Sequence, residues 1–133
     1  MAVIGSSLGG FYATWLAART ACKAVLLNPA IHPARDLAHY IGEQTAWHDP
    51  AERFYFAPEF VDELRVLEVG ALPHPERVWA LIAKGDEVLD WREMTARYPG
   101  SQQVVLEGGD HAISDFAQHL PVLLEFLNLQ AAP

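Results

Sequence analysis

The stretch Ala2-Val3-Ile4-Gly5-Ser6-Ser7-Leu8-Gly9-Gly10 decides the fold, because a short apolar run meets a glycine-rich turn and a helical pattern begins directly afterwards. The spacing from Gly5 to Gly9 is G-x-S-x-G, which places a serine at the tip of a sharp turn between a strand and a helix. Ser7 would have a strained backbone that exposes its hydroxyl. Gly5 and Gly9 would be needed because strand and helix pass close together there. The free amides of the following helix favour negative charge near that hydroxyl.

Two other glycine motifs do not fit this stretch. A dinucleotide-binding G-x-G-x-x-G needs glycine at position 7, where the chain has Ser7. A P-loop needs Gly-Lys-Ser/Thr, and the first lysine is Lys23. By itself, G-x-S-x-G is explained about as well by a glycine turn with two incidental serines. The strand before it, the amphipathic helix after it, and the acid and histidine downstream favour a nucleophile.

The composition narrows the class of protein. The chain has 133 residues, of which 51% are hydrophobic and 20% charged, which predicts one folded globular domain over residues 1–133. The net charge of -8 gives no basic surface for nucleic acid. Cys22 is the single cysteine, which excludes an intrachain disulfide and indicates a reducing compartment. No leader and no apolar run long enough for a bilayer is present, so we expect a cytoplasmic protein without a membrane partner.

Hydrophobic periodicity predicts alternating strands and helices. The predicted strands are 2–5, 23–28, 78–84 and 103–107, and the predicted helices are 8–19, 34–41, 60–67, 91–97 and a C-terminal helix through Leu127. Gly42 is expected to end the second helix. Residues 43–57 are expected to be irregular, and Pro121 to break or restart the last helix near Leu120. The alternation predicts an α/β fold with a mostly parallel sheet and helices on both faces.

Three candidate reactive residues follow three predicted strands, in the order Ser7, Asp86, His111. Reactive groups collect at the carboxyl ends of parallel strands, and Ser, Asp, His is the order of α/β-hydrolases. An imidazole near neutrality can take and return the serine proton, and a carboxylate can hold the imidazole in the required tautomer. The pattern predicts that Ser7 is a nucleophile, His111 its base and Asp86 the acid.

Other acids and histidines fit structural roles better. Asp90 lies at an expected helix N-cap, and Asp110 is expected to shape the turn beside His111. The remaining histidines lack a strand-end position and paired metal-ligand spacing, so neither a metal nor a cofactor is expected; they are His32, His39, His48, His74 and His119. Cys22, between a helix and a strand, is expected to be a buried structural thiol.

Several segments resemble the YqiA-like esterases, which are small bacterial α/β-hydrolases. These are Ile4-Gly5-Ser6-Ser7-Leu8-Gly9-Gly10-Phe11-Tyr12-Ala13-Thr14-Trp15-Leu16, Val25-Leu26-Leu27-Asn28-Pro29-Ala30, Gly85-Asp86-Glu87-Val88-Leu89-Asp90, Glu107-Gly108-Gly109-Asp110-His111-Ala112 and Leu124-Glu125-Phe126-Leu127. The resemblance is weakest between Glu43 and Phe60. It implies an α/β-hydrolase fold and a carboxylic ester hydrolase acting on short or medium acyl esters, with Ser7, Asp86 and His111 as its triad.

The resemblance also implies a difference at the N-terminus. Family members carry further strands and a His-Gly segment before the elbow, and that segment supplies half of the oxyanion hole. We therefore expect this chain to correspond to the C-terminal portion of the fold, with the N-terminal strands absent. Leu8 would donate one oxyanion amide without its partner donor, a loss that typically costs about 10² to 10³ in turnover.

Three further expectations follow. The aromatic stretch from Trp47 to Phe60 lies where this fold carries substrate-covering insertions, and it is explained equally well by an acyl pocket or by core packing. Residues 2–5 should form an unprotected edge strand, through which the chain would form a dimer or aggregate unless another segment, such as 43–56, covers that edge. The alternatives to an esterase are a thioesterase or acyltransferase with the same triad, and a non-catalytic hydrolase remnant that acts as an association module.

Overall fold

A computed structural model of the chain describes residues 1–37, 42–46, 49–56 and 58–128. The chain divides into two compact units, one of Met1–Ile31 with Val69–Pro133 and the other of His32–Glu68. The elements in chain order are β1 (Ala2–Ser6), α1 (Leu8–Thr20), β2 (Lys23–Leu27), α2 (Pro33–Leu37), β3 (Gly42–Ala46), β4 (Asp49–Phe56), α3 (Pro58–Val66), a 3-10 turn (Pro75–Arg77), β5 (Val78–Ala83), α4 (Trp91–Arg97), β6 (Gln102–Leu106) and α5 (Phe116–Phe126).

The larger unit is built on a parallel sheet of four strands in the order β1-β2-β5-β6. All six residues of β5 are buried, and so are the last four of β2. Strands buried on both faces have apolar runs without alternation, which is the pattern that predicted them. The parallel sheet and its four strands are therefore confirmed, each within one or two residues of its predicted bounds.

Helices cover both faces of this sheet, as predicted. Alternate residues of β2 point to opposite faces: Leu26 packs in one apolar cluster and Val25 in the other. The first cluster holds Ala13 and Ala17 of α1, Met94 of α4 and Tyr98 just after α4, together with the buried thiol of Cys22. The second holds Leu123 of α5 and Leu127 just after it.

The smaller unit contains α2, α3 and an antiparallel hairpin of β3 with β4. The expectation that residues 43–57 are irregular is wrong, since Gly42 pairs with Phe56 and Gln44 with Phe54. Gly42 begins a strand instead of ending a helix. Pro50 is compatible with β4 because both strands of a two-stranded sheet are edges. Residues 38–41, 47–48 and 57, which include Trp47, lie outside the described residues.

The last helix does not break at Pro121. Helix α5 runs from Phe116 to Phe126 with the proline inside it. A proline at this position cannot donate to the carbonyl of Ala117, but both residues are exposed, so water can bind that carbonyl. The fully buried Leu123 on the opposite face holds the helix to the sheet. Packing therefore outweighs the local cost of the proline.

Strand β1 is an edge strand, as predicted. It pairs with β2 on one side, from Ala2 opposite Lys23 to Ser6 opposite Leu27, and no described strand pairs with its other side. Ile4 is 53% exposed. On the adjacent helix α1, Phe11 is buried, Trp15 is partly buried and Tyr12 is exposed.

Candidate active site

Ser7 lies between the end of β1 and the start of α1, with φ 56° and ψ -120°. This backbone conformation is unfavourable for a residue with a side chain. A Cβ at Gly5 would lie 2.1 Å from the Gly9 carbonyl oxygen, so strand and helix meet there as predicted. A Cβ at Gly9 would contact nothing within 4 Å, whereas one at Gly10 would lie 2.7 Å from the Pro29 Cβ. Close packing of strand and helix therefore requires a glycine at position 5, as predicted. The second position that requires a glycine is 10, and not 9.

The three predicted reactive side chains are brought together at the carboxyl ends of β1, β5 and β6. His111 Nε2 lies 3.0 Å from Ser7 Oγ, and His111 Nδ1 lies 2.7 Å from Asp86 Oδ2. The Asp86 side chain is fully buried, and that of His111 is 22% exposed. The hydrogen bonds join residues that are 104 and 25 positions apart in the sequence.

The Asp86 carboxylate is held in place by its own loop. Its Oδ1 accepts hydrogen bonds from the backbone N–H groups of Val88 and Leu89, at 2.7 and 2.8 Å. Oδ2 is thereby directed at His111. An ionised carboxylate accepts only, so the imidazole carries its proton on Nδ1 and leaves Nε2 as an acceptor for the Ser7 hydroxyl. This is the tautomer that a serine-activating base requires.

The two other acids have the structural roles that were predicted. Asp90 caps α4 by accepting from the Arg92 N–H at 2.9 Å. Asp110 accepts from the Ser114 N–H at 2.9 Å, and the Ile113 N–H donates to its carbonyl. The hydrogen bonds from Ser114 are the main reason that the pKa of Asp110 is below its usual value.

The remaining histidines lie apart from this constellation where they are described. His32 is exposed, the His74 side chain is about half exposed, and His119 pairs with Asp115 at 2.9 Å. His39 and His48 lie outside the residues whose side chains the structure describes.

The loop after β5 packs closely against the loop after β6, and this packing sets the position of His111. The Gly85 N–H donates to the Gly108 carbonyl at 2.9 Å, and a Cβ at Gly85 would lie 2.2 Å from the Gly109 carbonyl oxygen. Gly109 has φ 84°, which a glycine adopts without strain. The Glu87 carboxylate accepts from the His111 backbone N–H at 3.0 Å. Of these glycines, the sequence indicated only the Gly108–Gly109 pair.

The residues missed by sequence reasoning are Gly10, Gly85, Glu87 and Asn28. Asn28 is the most informative, because it is a polar side chain with no exposed surface. An asparagine directly after the apolar run 24–27 was the available signal, and it was interpreted only as the end of that strand.

Leu8 is the first residue of α1, so its amide has no acceptor within the helix. The Leu8 N–H lies at the N-terminal, positive end of the helix dipole, directly after Ser7. The Ser7 carbonyl belongs to the same peptide group as the Leu8 N–H, and it accepts hydrogen bonds from the N–H groups of Gly10 and Ala30, both at 2.9 Å. This arrangement can therefore offer the Leu8 N–H to an oxyanion formed at Ser7.

Within the described residues, no group of three His, Cys, Asp or Glu side chains could hold a metal ion. None of the helices there combines the length and the apolar character needed to cross a membrane.

Solved structures with the same fold are hydrolases and esterases. A protein from Agrobacterium vitis S4, provisionally classed as a hydrolase, matches with a TM-score of 0.71 at 19% identity, over 95% of this chain and 60% of its own. Alpha/beta hydrolase domain-containing protein 10 from mouse matches with a TM-score of 0.66 at 18% identity, over 95% and 62%. The esterase domain of a Rhodothermus marinus protein matches with a TM-score of 0.65 at 20% identity, over 92% of this chain and 58% of its own. The chain therefore has a partial α/β-hydrolase fold.

Sequence comparison identifies the family. A UPF0227 protein of Vibrio parahaemolyticus is 24% identical over 127 residues, which are 95% of this chain and 64% of that protein. The chain thus spans less than two thirds of the length of this curated relative. The pattern of the uncharacterised protein family UPF0227 matches residues 1–128. Because this match covers nearly the whole chain, the chain belongs to the UPF0227 family, which is the YqiA-like family that its motifs indicated.

Proposed function

We propose that the protein is a serine hydrolase of carboxylic esters, with Ser7 as nucleophile, His111 as general base and acid, and Asp86 as the residue that orients His111. The observation that carries this proposal is the continuous hydrogen-bonded series from Ser7 Oγ through His111 to Asp86 Oδ2, at 3.0 and 2.7 Å. Each group has the neighbour that its role requires.

The reaction would proceed in two steps. The Ser7 oxygen attacks the ester carbonyl carbon while its proton passes to His111 Nε2, and the charged imidazole is stabilised by Asp86. The tetrahedral oxyanion accepts a hydrogen bond from the Leu8 N–H. His111 then gives the proton to the alcohol oxygen as the ester bond breaks, which leaves an acyl group on Ser7.

Water completes the cycle. His111 takes a proton from a water molecule, whose oxygen attacks the acyl carbon. When the bond to Ser7 Oγ breaks, that proton returns to the serine, and a carboxylic acid is released. No redox partner enters this balance. The resemblance to the YqiA-like esterases favours short or medium acyl chains.

The test is a pair of adjacent serine variants. Ser7→Ala should abolish both hydrolysis of a short-chain p-nitrophenyl ester and labelling by a fluorophosphonate probe. Ser6→Ala should retain both, because Ser6 is an exposed strand residue without a described contact to His111. Mass spectrometry of the labelled wild-type peptide should place the probe on Ser7. Labelling that survives in Ser7→Ala, or is absent from the wild type, would contradict the proposal.

The same preparation separates the related activities. Rates on matched oxygen esters, thioesters and amine acceptors distinguish an esterase from a thioesterase or an acyltransferase. We expect the oxygen ester to be the best substrate, with water as the acceptor. A higher kcat/KM for the thioester would reassign the substrate class without changing the triad.

A further inference from the structure

Asn28 is a buried polar residue at the centre of the proposed active site's framework. It lies directly after β2, has no exposed surface and adopts φ 43°. Asparagine tolerates positive φ better than most residues with a side chain. Its backbone N–H donates to the Leu81 carbonyl at 2.9 Å, which joins it to the neighbouring strand β5.

The Asn28 amide links two loops that carry proposed catalytic residues. Its Nδ2 donates to the carbonyls of Asp110 and His111, at 2.9 and 3.1 Å. Its Oδ1 accepts from the Ala83 N–H at 2.8 Å, three residues before Asp86. Both amide hydrogens and the amide oxygen are therefore used, as a buried polar group requires.

The residues on either side of Asn28 hold the main chain of Ser7. The Ser7 N–H donates to the Leu27 carbonyl at 3.0 Å, and the Ala30 N–H donates to the Ser7 carbonyl at 2.9 Å. One short turn after β2 therefore contacts the serine backbone and, through Asn28, the histidine backbone. The distance between Ser7 Oγ and His111 Nε2 depends on this turn.

We propose that Asn28 is a positioning residue that holds His111 in register with Ser7 and Asp86, an inference that rests on the proposed hydrolase function. Asn28 acts through the backbone of the His111 loop and not through the reacting atoms. Displacement of a catalytic group by about 1 Å can reduce turnover by about 10²-fold. Loss of the amide should therefore lower kcat and leave KM almost unchanged.

Two substitutions and a matched control test the proposal. Asn28→Asp keeps the size and Oδ1 but replaces the donor amide by an oxygen that faces two carbonyl oxygens. Asn28→Gly removes the side chain and adopts positive φ freely, so it serves where the aspartate variant does not fold. The control is Gln103→Glu, because Gln103 Nε2 also donates to two carbonyls, those of Thr95 and Tyr98, at 3.0 and 3.1 Å.

We expect kcat for the p-nitrophenyl ester to fall by about 10- to 10²-fold in both Asn28 variants. The control should lose some stability to urea but keep its kcat. Equal kcat in wild type and both Asn28 variants, after correction for the folded fraction, would overturn the proposal.

A second readout does not need turnover. Long-range ¹H–¹⁵N correlation of the His111 imidazole should show the single Nδ1–H tautomer in the wild type and in Gln103→Glu. A mixture of tautomers is expected in the Asn28 variants, because His111 is no longer held against Asp86. A wild type without hydrolysis or probe labelling would refute the proposed function, while this signal would still test Asn28. An unchanged tautomer in folded Asn28 variants would refute the positioning role.

Discussion

The two aspartates that follow β5 differ in what their carboxylates bind. Asp86 Oδ2 faces His111 Nδ1 at 2.7 Å from a fully buried side chain. Asp90 is partly exposed and accepts from the Arg92 N–H at the start of α4. Only Asp86 can select the imidazole tautomer, so the two residues should respond differently to the same substitution.

We expect Asp86→Asn to reduce kcat by up to about 10⁴-fold, because its amide would present N–H groups to the Nδ1–H of His111. Asp90→Asn should retain nearly full activity and stability, since asparagine caps helices about as well as aspartate. Both kcat and the free energy of unfolding in urea are to be measured. If Asp90→Asn removed the activity and Asp86→Asn did not, the two assignments would be reversed.

Single residues divide into those that the sequence could identify and those that it could not. The proximity of Ser7, Asp86 and His111 was predicted because each is a reactive residue type at the end of a predicted strand. Asn28 and Glu87 were not predicted. The two carbonyls that Asn28 binds lie 82 and 83 positions away in the sequence, and the N–H that Glu87 binds lies 24 positions away, so only the folded sheet brings these groups together. Gly85 was missed for the same reason, since its close contact is with the loop after β6.

At the scale of elements, prediction succeeded where burial is continuous. Strand β5 is apolar throughout, β2 is apolar after Lys23, and α4 has both its predicted bounds and its predicted cap. The hairpin of β3 and β4 was missed because its cross-strand pairing follows from a partner strand and not from a local pattern. The break at Pro121 was expected from local geometry, but the burial of Leu123 and Leu127 keeps α5 continuous.

Because Pro121 lies inside a continuous helix, Pro121→Ala should stabilise the protein. The alanine restores an N–H donor for the Ala117 carbonyl and removes the clash of the proline ring with it. In a helix interior these effects together are worth about 3 kcal/mol, and the gain is smaller here because water can already bind the exposed carbonyl. The free energy of unfolding in urea should therefore rise by about 1–2 kcal/mol.

The matched control is Pro75→Ala, because Pro75 lies at the start of the 3-10 turn, where a missing N–H removes no hydrogen bond within the turn. This variant should not gain stability. A loss of stability in Pro121→Ala would mean that the proline contributes a contact that outweighs the restored hydrogen bond.

At the scale of the whole molecule, one side of β1 has no pairing partner among the described strands. Its residues Ala2, Val3 and Ile4 carry neither charge nor proline, which are the usual protections of an edge strand. Backbone N–H and C=O groups along such an edge can pair with another strand. We propose that the 133-residue chain associates with a second copy through this edge.

Sedimentation equilibrium should show a concentration-dependent dimer or larger species. Ile4→Lys should shift the distribution toward monomer, because a lysine on an edge strand opposes pairing. The control is Val122→Lys, since Val122 on α5 is 50% exposed, close to the 53% of Ile4, and adds the same charge. A concentration-independent monomer with slowly exchanging amides at residues 2–5 would contradict the association and indicate that the edge is covered.

The backbone conformation of Ser7 also has a consequence for how the gene changes over generations. With φ 56° and ψ -120°, the serine costs on the order of 1–3 kcal/mol that a glycine would not. Selection for stability therefore favours glycine at position 7, and only use of the hydroxyl favours serine. In a lineage that no longer needed the proposed chemistry, drift would tend to replace this residue before the buried strands. Its loss from a descendant sequence would indicate that selection for the proposed reaction had ended.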